Sequence, residues 1–313
     1  MRLSRIRCLF SLKRLRRCYD LFHNPFKSFL VLSFIIKKPV SITHRDGSAA
    51  MFSRRDRKFW DWFFDFENAM VNFTDNGEVL VMLDDCRVLL RPGTNDFLIF
   101  QEIFLLDIYS IRSLRNSFDS VIDIGANIGL FSSAMLKRAK RVIAVEPVSE
   151  NYQQALKNID LNGGCSSDVL RYAITTESNQ LVTVFHEKRN TVGHSLKRGW
   201  IKNIDSRESV PAITLSDLLR IANCDSVDLL KCDVEGSEYD VFLCTPPEDL
   251  RKIHMIIMEV HISVDLPPSL LKKLVSYLES VGFSIYSEKE ISQLSPDRQS
   301  FILTAKLPHD GFK

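Results

Sequence analysis

Val121-Ile122-Asp123-Ile124-Gly125-Ala126-Asn127-Ile128-Gly129, followed after a helical stretch by Val145-Glu146-Pro147, decides the fold of this chain. A β-branched run enters a turn of small residues, and a second β-branched run ends in a carboxylate 23 positions after Asp123. Strand, small-residue turn, helix, strand and acid, in that order, make a nucleotide-binding β-α-β unit. Glycine has no side chain to obstruct and tolerates positive φ, so a turn of Gly125, Ala126, Asn127 and Gly129 lets the backbone approach a ligand closely. The following helix presents free N–H groups, and Glu146 at the strand tip is placed to accept hydrogen bonds from a ribose diol. The dinucleotide spacing G-x-G-x-x-G fails, because position 127 is Asn and position 130 is Leu. The glycines taken alone also fit a plain strand-to-helix turn.

Outward from this unit, strand and helix patterns alternate. Strands are expected at 121–124, 141–145, 169–173, 181–185, 227–232, 253–260, 283–286 and 301–305. Helices are expected at 129–138, at 149–162 with Ser149 as N-cap and Asn162-Gly163-Gly164 as the stop, and at 215–222, 237–243 and 268–281. Such alternation predicts an α/β fold, with a mostly parallel sheet covered by helices on both faces. Residues 41–115 read differently: Asp46-Gly47 and Asn76-Gly77 sit between short apolar runs and predict hairpins. A helix over 96–111 and an aromatic helix or turn near Phe59-Trp60-Asp61-Trp62-Phe63-Phe64 complete that part.

Charged residues gather at the ends of two later strands. Lys231, Asp233 and Glu235 share a side if the 227–232 strand continues, at the C-terminal end where open α/β sheets bind ligands. Asp233 and Glu235 are suited to accept a proton, hold a lysine, or help ligate a hard divalent cation. The alternative is a charged helix start, with Glu235 and Glu238 serving the N-terminal dipole. Glu259 and His261 stand at i and i+2 on the next strand and point to one side. His261 is the general-base candidate, its ordinary pKa of ~6.5 allowing a neutral ring at physiological pH. His194, in Gly193-His194-Ser195, lies in a polar stretch read as a loop able to fold over the site.

The loop matches D-x-G-x-N-x-G, and from about Asp96 to Val260 the chain resembles the FkbM family of S-adenosylmethionine-dependent methyltransferases. The ordered motifs are Gln101-Glu102-Ile103-Phe104 with Tyr109, Asp123 to Gly129, Val145-Glu146-Pro147, Thr214-Leu215-Ser216-Asp217, Leu230 to Glu238, and Ile257-Met258-Glu259-Val260-His261. The resemblance implies a Rossmann-like, seven-stranded class I methyltransferase sheet, here with a β-rich and helical N-terminal cap. It further implies S-adenosyl-L-methionine at the C-terminal ends of strands one and two, and methyl transfer, usually to oxygen. The cofactor set is then Glu102, Asp123, Gly125, Ala126, Asn127, Gly129, Glu146, Pro147 and Ala173. The catalytic set is Asp233, Glu235, Glu259, His261 and His194. A cationic sulfonium suits neighbouring carboxylates, whereas pyrophosphate would favour basic or backbone contacts. No metal ligand set is predicted, although a divalent cation is compatible with the acids. The acceptor is expected to be a small metabolite, a sugar or a glycan. Two readings compete with this one: a nicotinamide-dependent oxidoreductase, and a non-catalytic adaptor that keeps the cofactor fold.

Net charge argues against nucleic acid as a partner, since 41 basic residues face 39 acidic ones. The imbalance is local: residues 2–17 carry Arg2, Arg5, Arg7, Lys13, Arg14, Arg16 and Arg17 without an acid. Such a basic, roughly amphipathic stretch suits peripheral membrane contact or an anionic polymer, or is a solvated terminus. The apolar run 26–36 is only about half the ~20 residues of a spanning helix. Seven cysteines without a C-x-x-C pair favour neither disulfides nor zinc, and fit a reducing, cytoplasmic location. The expected organisation is a leader over 1–40, a cap over 41–115 and the cofactor domain over 116–313.

Overall fold

Val121, Ile122, Leu229, Leu230, Ile256 and Met258 are all fully buried, neighbours along each strand included, so both faces of these strands are covered. Continuous apolar burial of this kind belongs to the interior strands of a parallel sheet flanked by helices. The computed structural model describes residues 12–32, 40–52, 56, 69–165, 168–187, 190–196, 204–295 and 298–308. They form two compact units, Met1–Leu106 and Asp107–Lys313.

The second unit is built from strands β6 (Phe118–Ile124), β7 (Ala139–Val145), β8 (Val169–Leu170), β13 (Val227–Cys232), β14 (Ile253–Ser263), β15 (Ser284–Ser295) and β16 (Arg298–Lys306). Their order in the sheet is β15-β16-β14-β13-β6-β7-β8. β14, β13, β6, β7 and β8 run parallel to one another, and β16 is antiparallel to both strands beside it. The chain lays β7 and β8 to one side of β6 and then returns to place β13 and β14 on the other. This reversal makes the carboxyl ends of β6 and β13 a topological switch point, where open α/β sheets bind their ligands. Helices α4 (Leu130–Met135), α5 (Ser149–Leu161), α6 (Leu215–Ile221), α7 (Glu238–Leu243), α8 (Pro247–Leu250) and α9 (Pro268–Val281) accompany the sheet.

A second sheet was not expected. Strands β9 (Ala173–Ile174), β10 (Gln180–Glu187), β11 (Asn190–Ser195) and β12 (Ile204–Ile213) form it in the order β11-β10-β12-β9. The strand expected over 169–173 is therefore two pieces: Val169–Leu170 pairs with β7, and Ala173–Ile174 pairs with β12. Arg171 sits at the break, its guanidinium bound to the Pro147 carbonyl and to Glu208. Two helix starts also differ from expectation. Gly129 has φ +76°, which keeps it outside α4. Val148, not Ser149, occupies the N-cap of α5, and the Ser149 N–H is taken by the Glu208 carboxylate.

The first unit contains helices α1 (Leu12–Leu21), α2 (Pro25–Leu32) and α3 (Asp96–Phe100), the pair β1 (Val40–Thr43) and β2 (Ala49–Phe52), and the meander β3 (Met70–Phe73), β4 (Val79–Leu83) and β5 (Cys86–Leu90). Both turns read from Asp-Gly and Asn-Gly close antiparallel pairs. Phe22, Phe52 and Phe73 pack together, ring centroids 5.9 Å and 5.4 Å from Phe73. Of the leader cations, Arg14 is buried and the Arg17 guanidinium donates to the Ala69 carbonyl at 2.9 Å. The helix expected over 96–111 is interrupted, α3 passing into a π-turn over Gln101–Leu105, with left-handed Asp107 and Ser110 before a short 3₁₀ turn at Ile111–Ser113. The aromatic segment Phe59 to Phe64 lies outside the described residues, and among those described no helix is long and apolar enough to cross a membrane.

Candidate functional site

Register places the first pair of charges side by side. β13 and β6 align Lys231 with Asp123, and the lysine ammonium lies 3.1 Å from Asp123 Oδ1. The same ammonium donates to the Gly125 carbonyl at 2.9 Å and stands over the Tyr109 ring, 5.4 Å from its centroid. Ser132, from the first turn of α4, donates to Asp123 Oδ2 at 2.6 Å. Asp123 is thus fully buried and engaged by Lys231 and Ser132. Burial alone would pull the Lys231 pKa down, but Asp123 and Asp233 outweigh it and hold the ammonium above its ordinary value.

The glycine of the turn has a packing reason that its sequence does not show. Gly125 has φ +73°, and a Cβ there would lie 1.7 Å from the Asp233 carbonyl oxygen. A neighbouring loop of the protein therefore demands a bare backbone at this point. Gly125 and Ala126 both donate their N–H to the Val145 carbonyl at 3.0 Å, and Asp233 N–H continues the β6 ladder by bonding Ile124 O at 3.0 Å. The turn is locked onto both flanking strands.

Glu146 closes the other side of the turn. One carboxylate oxygen accepts the Asn127 N–H at 2.8 Å and the other the Val148 N–H at 2.9 Å. Each oxygen keeps a further lone pair, which is the acceptor geometry a ribose diol requires. Burial pushes its pKa up to about 7, against the two backbone donors that favour the charged form. Pro147 follows with its carbonyl held by Arg171 Nε at 3.2 Å. Ala173 is buried in β9, paired with Ala212. Glu102 belongs to the first unit, in the π-turn Gln101–Leu105. The turn and Glu146 fit a nucleoside: a tight backbone corner beside a strand-end carboxylate with spare acceptor capacity.

Across the switch point the acids converge. The strand does not continue to Glu235 as the period-two reading required: β13 ends at Cys232, and Glu235 (φ +49°) with Gly236 (φ +97°) turns the chain into α7. The turn nevertheless brings Glu235 to the cluster. Asp233, Glu235 and His261 each offer a ligand atom, all within 4.8 Å of one another. Tyr109 OH bridges Asp233 Oδ2 at 3.2 Å and Glu259 Oε2 at 3.5 Å. His261 Nε2 lies 3.7 Å from Glu235 and 3.6 Å from Glu259, and its Nδ1 is 2.7 Å from Glu238 Oε1.

These partners change the reading of His261. Its ring is 2% exposed, and burial by itself would lower its pKa, but Glu238, Glu235 and Glu259 outweigh burial and hold it well above the usual histidine range. The neutral ring that a general base needs is disfavoured at physiological pH. Glu259 moves the other way for a carboxylate: burial first, then the Asp233 charge, pushes it up to about 8. Glu238, read from sequence as a helix-dipole residue, is instead the fully buried partner of His261 and also accepts the Gly236 N–H at 3.0 Å. Its spacing from Asp233 in Asp233-Val234-Glu235-Gly236-Ser237-Glu238 was visible, but its pairing with a residue 23 positions away was not. His194, expected in a loop, lies in strand β11 of the second sheet.

Comparison with known proteins agrees with this arrangement. The model of the methyltransferase FkbM domain matches residues 123–285, just over half of the 313-residue chain. The chain is 27% identical to "Methyltransferase sdnD" of Sordaria araneosa over 233 residues, covering 65% of this chain and 87% of that protein. It is 25% identical to "Methyltransferase 1" of Beauveria bassiana over 251 residues, covering 73% and 98%. Among solved structures, methyltransferase FkbM from Methylobacillus flagellatus KT matches at 16% identity and a TM-score of 0.41, over 61% of this chain and 44% of that one. With the matched segment running from the β6 turn through the acid cluster and into β15, the chain belongs to the FkbM family of S-adenosylmethionine-dependent methyltransferases.

Proposed function

We propose that the protein transfers a methyl group to a hydroxyl oxygen of a small metabolite, sugar or glycan. The observation that carries this reading is the cluster of Asp233, Glu235 and Glu259 at the strand ends beside the nucleoside turn. A hydroxyl must lose a proton as it is methylated, and a carboxylate within hydrogen-bond reach can take it. Bound S-adenosylmethionine supplies a methyl group on an activated sulfonium. Glu146 would accept from its ribose hydroxyls, and the Gly125–Gly129 turn would hold the nucleoside against β6 and β7. One carboxylate of the cluster accepts the acceptor's proton while the oxygen lone pair forms the new bond to carbon and the carbon–sulfur bonding pair returns to sulfur. Alignment accounts for much of the acceleration in such a displacement.

Mass spectrometry of reactions with hydroxyl-bearing acceptors should find products heavier by one methyl group on oxygen, with the yield lost in Asp233→Asn. Methylation confined to nitrogen or carbon would overturn the reading.

Glu146 makes the cofactor half testable separately. Ribose hydroxyls donate to a carboxylate and so prefer its charged form, and the free group titrates near 7. Affinity for S-adenosylmethionine should therefore rise as pH increases through that value, with a proton released on binding. Glu146→Ala should weaken binding by ~1–3 kcal/mol, the worth of a charged hydrogen bond, and remove the pH step. Stability runs in the opposite sense: a carboxyl whose folded pKa is raised loses its contribution as pH climbs from about 4.5 to about 7. Calorimetry in buffers of different ionisation enthalpy reads the proton, and a pH-independent affinity would remove Glu146 from the ribose.

A further inference from the structure

We infer that Asp233, Glu235 and His261 form a binding site for a divalent first-row transition cation, with Glu259 at its edge. The three ligand atoms lie within 4.8 Å of one another, the span of donors arranged around a single ion. His261 Nε2 stands 3.7 Å from Glu235 and 3.6 Å from Glu259, too far for hydrogen bonds but close to the separation of two ligands sharing a cation at ~2.1 Å each.

Two observations outside this spacing point to an ion. The ring is oriented from behind by Glu238, a fully buried carboxylate on α7 that lies 2.7 Å from Nδ1, placed to accept its N–H, and turns Nε2 toward the cluster. A carboxylate behind a histidine is the usual support of a metal ligand, setting its tautomer and raising its basicity. In addition, Asp233 Oδ1 is buried with no hydrogen-bond partner among the described residues. An acceptor oxygen left so is costly and leaves lone pairs for a cation.

The chemistry of the donors selects the ion. Carboxylate oxygens with one imidazole suit Mn²⁺ or Fe²⁺, whereas Mg²⁺ keeps to oxygen and Cu²⁺ or Zn²⁺ sites favour more nitrogen or sulfur. The ring enters as a neutral ligand, so uptake displaces the proton that the surrounding carboxylates otherwise hold on it. The inference rests on the cluster and on Glu238 behind it, and holds whichever atom accepts the methyl group.

Titrating the full chain with Mn²⁺ in the absence of S-adenosylmethionine, and following the free-ion electron paramagnetic resonance signal, tests it. One ion per chain should be taken up, more tightly than Mg²⁺ by at least about tenfold, as imidazole ligation requires. Glu235→Gln, at a partly exposed position, should abolish the site while leaving the unfolding midpoint of the chain unchanged. Glu238→Gln, which touches no ion, should weaken it by about 10–100-fold. Failure of Mn²⁺ uptake in a chain that still binds S-adenosylmethionine would overturn this inference and leave the proposed function standing. Uptake unchanged in Glu235→Gln, or equal affinity for Mg²⁺, would overturn it as well. Uptake without S-adenosylmethionine binding would support the site and count against the cofactor reading.

Discussion

Gly125→Ala should destabilise the protein by about 4 kcal/mol, among the largest effects a single methyl group can have. Two penalties act together. Alanine at φ +73° is strained wherever it occurs, by ~1–2 kcal/mol. Its Cβ would also lie 1.7 Å from the Asp233 carbonyl oxygen, a backbone atom that cannot swing aside as a side chain does. Relief requires moving the β13 loop, which breaks the Asp233 N–H bond to Ile124 O and displaces the acid cluster from the turn. Gly129→Ala is the comparison: its φ is +76°, and its Cβ would stand 3.1 Å from Ala155 Cα, a tight contact rather than an overlap, so its cost should lie between the strain value and that of Gly125→Ala. Urea unfolding of both variants separates the two contributions. A Gly125→Ala variant within ~1 kcal/mol of the parent would mean that the two loops do not touch as described.

Lys231→Met should cost about 3–5 kcal/mol, the usual result of removing one member of a buried ion pair. The ammonium is buried between the Asp123 carboxylate and the Gly125 carbonyl, so its loss strands a charge that is itself fully buried and leaves the turn's carbonyl without its donor. Asp123→Asn/Lys231→Met should recover most of the loss, because an amide next to a thioether carries no uncompensated charge. Ser132 can still donate to the asparagine oxygen. Thermal or denaturant unfolding across the four-member cycle measures the coupling, and additive single effects would contradict the pair.

Much of this architecture is legible in the sequence. The strands expected at 121–124, 141–145, 227–232 and 253–260 are found within β6, β7, β13 and β14, and the helix expected over 268–281 is observed as Pro268–Val281. Apolar periodicity is a local property, so it survives in the sequence. The second sheet was not legible, because Ala173–Ile174 and Gln180–Glu187 carry strand patterns that do not say which neighbour they join. Partner choice is decided by the long antiparallel register of Gln180–Glu187 with Ile204–Ile213.

The candidate site divides along the same line. Sequence alone determined the chemistry at hand: a small-residue turn, the strand-end acid Glu146, and the acids and histidine of Asp233-Val234-Glu235 and Glu259-Val260-His261. Tertiary structure decided what each group does with its neighbours. Strand register spends Asp123 on Lys231, the Asp233 carbonyl takes the space that makes Gly125 obligatory, and Glu238 from α7 turns His261 from a free base into a held cation beside three acids. Residue types fix which protons and lone pairs exist. Only the packing of segments more than a hundred residues apart, such as β6 and β13, fixes which of them meet in a low-dielectric interior, where that meeting sets charge and reactivity.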